Sequence, residues 1–255
     1  VKITFLGTGT SQGIPLIGCQ CEVCTSDNPK DNRTRSSVMV QTDGLTLIID
    51  TGTDFRFQML REKVKQIDAI LYTHPHKDHT GGMDDIRPFY FKNNKQDIPI
   101  FGSESLINSL KREFSYIFSE NKYPGVPSVK VNIVCENTPF MFKHLKIIPI
   151  SVWHGEQKIF GYRINDFTYI TDANRIEPDQ LEKIKTSKVL VLNALQNKPH
   201  HSHFTLPQAI EIAQEIGAEI TYFTHISHTL GKHEVVNASL PAHIALAYDG
   251  LSREW

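Results

Sequence analysis

The chain has 255 residues, and its 27 basic and 28 acidic side chains leave a formal net charge of −1. That length can bury a large core. The charge balance argues against bulk nucleic-acid binding through electrostatics alone, and no apolar run reaches membrane-spanning length. The first residues, Val1-Lys2-Ile3-Thr4-Phe5-Leu6, alternate like a strand and lack a signal-peptide hydrophobic region followed by a cleavage site, so a cytoplasmic location is expected.

In chain order, β-type runs are expected at 2–6, 36–41, 45–50, 68–72, 98–101, 130–134, 145–150, 159–164, 167–171, 188–192 and 220–223. Asp43-Gly44 between two of them is a hairpin signal. Helical patterns fall near 53–65, 103–118, 177–185 and 206–216. Thr205 before Leu206-Pro207 reads as an N-cap with proline in the first turn, and Gly217 as the stop. Residues 120–128, with Pro124, Gly125 and Pro127, read as a connector. No repeat or linker divides the chain, which is expected to be one α/β domain over 1–255: two mixed sheets between helical layers. Three of the four cysteines crowd into Cys19-Gln20-Cys21-Glu22-Val23-Cys24, in an insert at about 18–28. Spacing this close favours a metal over disulfides. Cys135, after a strand-like run, reads as a buried inert thiol.

The densest chemistry is His74-Pro75-His76-Lys77-Asp78-His79, directly after the apolar run Ala69-Ile70-Leu71-Tyr72. A loop leaving a strand can aim several short side chains at one point. Imidazole with carboxylate suits Zn²⁺, Mn²⁺ or Fe. Later segments share the form of an apolar strand ending in a polar residue of ligand type. Residues 45–49 lead to Asp50, 147–153 to His154, 167–171 to Asp172, and 220–224 to His225. Residues 189–192 lead to Asn193, with His200, His201 and His203 shortly after.

The chain resembles the metallo-β-lactamase superfamily over essentially its whole length. The likeness rests on Phe5-Leu6-Gly7-Thr8-Gly9-Thr10, Asp50-Thr51-Gly52, the His-x-His-x-Asp-His loop, and the later His, Asp and His in order. It implies an αββα sandwich and two adjacent divalent metals, Zn²⁺ or Mn²⁺. His74, His76, His154 and Asp172 would hold one metal. Asp78, His79, Asp172 and His225 would hold the other, with Asp172 bridging. Asp50 would orient a ligand imidazole. Gly9-Thr10-Ser11-Gln12-Gly13-Ile14-Pro15, the cysteine insert and Thr224-His225-Ile226-Ser227-His228 are similar to the phosphodiesterase family that opens phosphoribosyl 1,2-cyclic phosphate. That resemblance implies a structural Zn²⁺ on Cys19, Cys21, Cys24 and His228, and hydrolysis of a cyclic phosphodiester by a metal-bridging hydroxide.

The catalytic candidates are His203, as general acid to the leaving group, and Asp78, which is also a ligand. The choice among His200, His201 and His203 stays open within a residue or two. Arg33, Arg35 and Ser37 are candidates for substrate binding, and Arg87 is a further one. The expected partner is a small phosphodiester, of phosphoribosyl cyclic phosphate or 2′,3′-cyclic nucleotide type, with no membrane or stable nucleic-acid partner; a homodimer is compatible with the sequence. Two other readings are a tRNA 3′-processing nuclease, which shares the metal set but normally carries a long exosite arm, and a non-hydrolytic accessory protein of pyrroloquinoline quinone synthesis.

Overall fold

The computed structural model describes residues 1–255. The chain forms two compact units. One comprises Val1–Gly7, Arg35–Val134 and Gly250–Trp255, the other Thr8–Thr34 and Cys135–Asp249.

The first unit is a seven-stranded mixed sheet. Its strands are β1 (Lys2–Gly7), β2 (Ser37–Thr42), β3 (Leu45–Ile49), β4 (Ala69–Leu71), β5 (Ile98–Gly102), β6 (Val129–Ile133) and, from the far end of the sequence, β14 (Ser252–Glu254). They lie in the order β14-β1-β2-β3-β4-β5-β6. β2 and β3 are an antiparallel hairpin in which Thr42 pairs with Leu45. Its two turn residues, Asp43 and Gly44, both have positive φ, as a tight turn matched to strand twist requires. From β3 to β6 neighbouring strands run parallel. Asp50, after β3, and the His-rich loop, after β4, therefore leave the sheet at the same rim. Helices α1 (Phe55–Arg61), α2 (Lys77–Thr80), α3 (Arg87–Lys92), α4 (Glu104–Glu113) and α5 (Ser115–Phe118) belong to this unit. Its core includes Ile48, Ile70, Ile100, Phe55, Met83, Leu106 and Leu110.

The second unit holds β7 (Phe140–Phe142), β8 (Leu145–His154), β9 (Gln157–Ile164), β10 (Phe167–Tyr169), β11 (Val189–Asn193), β12 (Ile220–Thr224) and β13 (Ile244–Leu246), ordered β13-β12-β11-β10-β9-β8-β7. β10 to β13 are parallel, while β9 is antiparallel to both β8 and β10. β8 thus points the same way as β10, β11 and β12, and all four deliver their carboxyl ends to one rim. Helices α6 (Pro178–Ile184), α7 (Leu206–Ile216) and α8 (His233–Ala238) complete it. The start of α7 is a reciprocal cap: Thr205 and Gln208 each use a side chain on the other's backbone N–H, and Gly217 closes the helix at φ 64°.

The expected elements are present, with boundaries moved by a few residues. The 103–118 pattern breaks into α4 and α5 at Phe114. β7, β14, α2, α3 and α8 were not anticipated, because three- to six-residue elements carry too little periodicity; α2 places Asp78 and His79 on a short helical turn where a loop was expected. Residues 120–128 have no helix or strand, as expected of a connector. The expectation for Cys135 is corrected: the residue lies just beyond β6 and is exposed, because the strand ends before it.

Candidate metal centre

In the first unit, one buried carboxylate organises the His-rich loop. Asp50 is fully buried at the end of β3 and accepts three hydrogen bonds: from the Thr73 backbone N–H (2.8 Å), from the Thr73 hydroxyl (2.8 Å) and from His79 Nδ1–H (2.7 Å). Burial pushes its pKa up, against the opposing pull of His79 and Thr73. A hydroxyl has one proton. Because Thr73 spends it on Asp50, the 2.9 Å contact between Thr73 Oγ1 and His74 Nδ1 must be donated by the imidazole. Asp50 thereby fixes two tautomers, His79 directly and His74 through Thr73. Both rings keep Nε2 as the lone-pair nitrogen, the state a metal ligand needs. His79 Nε2 lies 3.1 Å from Asp78 Oδ2, and the His74 ring is 4.6 Å from that of His76 and 4.2 Å from that of His79.

Close backbone approach holds this loop against the Asp50 turn. A Cβ on Gly52 would sit 2.1 Å from the Asp78 carbonyl oxygen, and one on Gly82 would sit 2.2 Å from the Gly52 carbonyl oxygen. These sites therefore require glycine.

In the second unit, His154, Asp172, His203 and His225 are all at most 9 % exposed. His154 Nδ1–H donates to the carbonyl oxygens of Asp172 (2.6 Å) and Ser202 (3.0 Å), which again leaves Nε2 as the donor nitrogen. Burial lowers the pKa of His154, favouring that neutral form. Asp172 Oδ1 is 3.1 Å from His225 Nδ1, and its Oδ2 is 3.2 Å from His203 Nε2. Asn193 clamps the backbone after Asp172: its Oδ1 accepts from Ala173 N–H (2.8 Å) and its Nδ2–H donates to the Ala173 carbonyl (2.9 Å).

Asp50 (φ 65°) and His225 (φ 55°), directly after β3 and β12, and Asp172 (φ 60°), a little beyond the end of β10, all adopt left-handed backbone conformations. Each costs on the order of 1 kcal/mol for a non-glycine residue. A left-handed residue turns the chain sharply at the strand end and keeps its side chain at the rim.

A third donor set, also in the second unit, is formed by Cys19, Cys21, Cys24 and His228, whose ligand atoms lie within 4.8 Å of one another. His228 Nδ1 is 3.5 Å from Cys19 Sγ and 3.3 Å from Cys21 Sγ. Backbone N–H groups of Cys24 and Leu16 point at Cys21 Sγ and Cys24 Sγ (3.4 and 3.3 Å). His228 and the Cys24 N–H bring the Cys21 thiol down to about 6, whereas burial drives Cys24 up to about 11. On a tetrahedral zinc with bonds of about 2.0–2.3 Å, neighbouring donors stand about 3.3–3.8 Å apart. The Cys₃His set fits that spacing and chemistry.

The substrate-binding expectations fare differently. Arg33 is 3 % exposed, and its guanidinium donates inward to Thr8 Oγ1 (2.8 Å), the Ala247 carbonyl (2.6 Å) and His233 Nδ1 (2.9 Å). It ties the stretch before β2 to Thr8, to Ala247 and to α8, and offers a substrate nothing. Ser37 is likewise spent, donating within reach of the Ile49 and Asp50 carbonyls (3.0 and 2.8 Å). Arg35 pairs with Asp54 at 3.1 Å, and Arg87 with Asp84 at 2.9 Å. Neither spacing nor composition marked Thr73 as a site residue, since a threonine ending a strand is ordinary; Asn193 was marked by its place at a strand end, but as a residue of ligand type rather than as the backbone clamp it is.

A family model described as a β-lactamase superfamily domain matches residues 46–226. A crystal structure described as a new diphosphatase from the PhnP family is 44 % identical, with a TM-score of 0.93, covering 100 % of this chain and 96 % of that one. An octanoyltransferase of Porphyromonas gingivalis is 36 % identical over 98 % of this chain but only 51 % of its own length, so the chain spans about half of that relative. A ribonuclease Z of Clostridium kluyveri is 25 % identical over 81 % of this chain and 87 % of its own length. With the two-sheet fold and the donor sets at its strand ends, the chain belongs to the metallo-β-lactamase superfamily of metal-dependent hydrolases, and within it to the PhnP family.

Proposed function

We propose that the chain is a phosphodiesterase whose donor sets hold a pair of divalent cations, Zn²⁺ or Mn²⁺. His74, His76, His154 and Asp172 serve one ion; Asp78, His79, Asp172 and His225 serve the other. A third ion, a structural Zn²⁺, belongs on Cys19, Cys21, Cys24 and His228. The bound pair would supply Lewis acidity to phosphoryl oxygens and lower the pKa of a water. The residues do the rest. Asp50 holds the tautomers of His74 and His79. Asn193 and Thr171 hold the Asp172 turn. His203 protonates the oxygen that leaves phosphorus.

The observation that carries this reading is the position of His203. It is buried, and its Nε2 is 3.2 Å from Asp172 Oδ2, beside a ligand carboxylate. A sugar or alkyl alkoxide is a poor leaving group, and an imidazole is a side chain suited to protonating it as it departs. The likeness to a PhnP-family diphosphatase supports phosphorus as the centre attacked. The substrate class favoured is a cyclic phosphodiester of phosphoribosyl or 2′,3′-nucleotide type.

The test is turnover of metal-loaded protein on phosphoribosyl cyclic phosphate, 2′,3′-cyclic nucleotides, an aryl diester, a tRNA precursor and an octanoyl thioester. His203→Ala should lower kcat on the cyclic diesters by roughly 10²–10⁴-fold with metal content unchanged. Preference for the tRNA precursor or the thioester over every small diester would overturn the assignment. Unchanged turnover in His203→Ala would remove that residue as the acid.

A further inference from the structure

His203 is not alone on its loop. Its Nδ1 lies 3.2 Å from His200 Nδ1 and 3.0 Å from Ser202 Oγ, and the His200 and His203 rings meet edge to face with centroids 4.9 Å apart. Two ring nitrogens this close share one proton: one donates and the other accepts. The backbone decides which. The Ser202 N–H points at His200 Nδ1 (3.4 Å), and an amide N–H can only donate, so His200 Nδ1 is the acceptor. A proton on His203 Nδ1 has His200 Nδ1 and Ser202 Oγ to accept it, with Nε2 facing Asp172. The ring is also confined from other sides, stacked on His225 at 4.9 Å and set edge-on to His154 at 4.8 Å.

We propose that His200 is the positioning residue for His203, locking the imidazole with Nδ1–H toward His200 so that Nε2 alone takes up and delivers the proton for the leaving oxygen. This deepens the phosphodiesterase reading and rests on it. A carboxylate commonly fills the orienting place behind a catalytic histidine; here a neutral imidazole acceptor does. Burial and the neighbouring histidines His203, His201 and His154 all push His200 below its ordinary pKa, which keeps Nδ1 available as an acceptor. The proton balance is as follows: Nε2 of His203 takes up a proton from solvent, water loses a proton to solvent and its oxygen bonds to phosphorus, the ester P–O bond breaks, the Nε2 proton passes to the departing alkoxide oxygen, and the Nδ1 proton stays where it is.

The experiment compares His200→Ala and His200→Asn in the metal-loaded enzyme on two diesters. One has an alkyl or ribose leaving group, which needs an acid. The other, bis(p-nitrophenyl) phosphate, has a leaving group that is stable without one. Expected for His200→Ala is a ~10–100-fold fall in kcat on the alkyl diester, KM within about two-fold, and a loss at least about five-fold smaller on the aryl diester. Asparagine, whose Oδ1 can accept in place of Nδ1, should recover activity to within about three-fold of wild type. Independently of turnover, ¹⁵N NMR of labelled imidazoles should show neutral His203 as the Nδ1–H tautomer, mixing toward Nε2–H in His200→Ala but not in His200→Asn. Equal losses on both diesters, no loss on either, or a wild-type Nε2–H tautomer would overturn the proposal. If wild type cleaves neither diester, the phosphodiesterase reading fails, and the tautomer spectrum still decides whether His200 positions His203.

Discussion

Acidification should destabilise this protein through His233, by an amount that can be worked out. His233 is 2 % exposed, its Nδ1 accepts from Arg33 at 2.9 Å, and its backbone N–H donates to Asp31 Oδ1 at 2.7 Å. A guanidinium only donates, so a proton on Nδ1 would set two donors against each other. Burial first, then the Arg33 and Lys30 charges, depress the His233 pKa from its ordinary 6.5 to about 4. The sign follows from linkage. The unfolded chain binds this proton below pH ~6.5 while the folded chain refuses it until about 4, so stability is complete above the first value and drains away between the two as pH falls. At pH 5 the unfolded state gains a factor of about 30, or about 2 kcal/mol. The assay is urea unfolding at pH 7.5 and pH 5.0 for wild type and His233→Gln. Glutamine Oε1 can still accept from Arg33 but does not titrate. Other histidines contribute equally to both proteins and cancel in the double difference. Wild type should lose about 2 kcal/mol more than the variant on acidification. A double difference within about 0.5 kcal/mol of zero, the usual scale of an uncoupled surface change, would refute the argument.

Three further outcomes can be checked. Asp50→Asn removes the acceptor that sets His79 and Thr73, so metal affinity measured by chelator competition should fall ~10–100-fold while the fold persists; unchanged affinity would deny Asp50 its organising role. Gly52→Ala forces a methyl onto the Asp78 carbonyl oxygen. It should cost ~2–4 kcal/mol, seen as a drop in Tm of at least about 5 °C, and a shift under about 2 °C would mean the loop yields freely. Cys21→Ser should remove one tightly held zinc per chain by elemental analysis, with diesterase turnover partly retained; full zinc content would exclude a thiolate site.

Much of the candidate centre's geometry was legible in the chain because its residues of ligand type sit where strands stop. His74, Asp78 and His79 follow an unbroken apolar run, and Asp172 and His225 each follow another. Such runs can only be buried strands, so the residue after each must lie at a sheet rim. The Cys19-Cys21-Cys24 spacing was equally legible, since three thiols in six residues have few other uses. Arg33 was misjudged because an arginine before a strand gives no sign of whether it points in or out. Its buried contacts reach Thr8, 25 residues away, and His233 and Ala247, 200 and 214 residues away. The left-handed turns at Asp50, Asp172 and His225 were likewise invisible, because aspartate and histidine tolerate that conformation without demanding it. Thr73 owes its role to a direction of proton donation, which no residue pattern encodes.

Thr224-His225-Ile226-Ser227-His228 gives one imidazole to Asp172 and, three residues on, another to the thiolates. Between them Ile226 bridges to Gly9, so the run is fastened at three successive points. Such a stretch has no slack. Inserting or deleting a single residue there would rotate one histidine away from its cluster whichever end stayed anchored. Variation among relatives should therefore leave the spacing of the two histidines untouched.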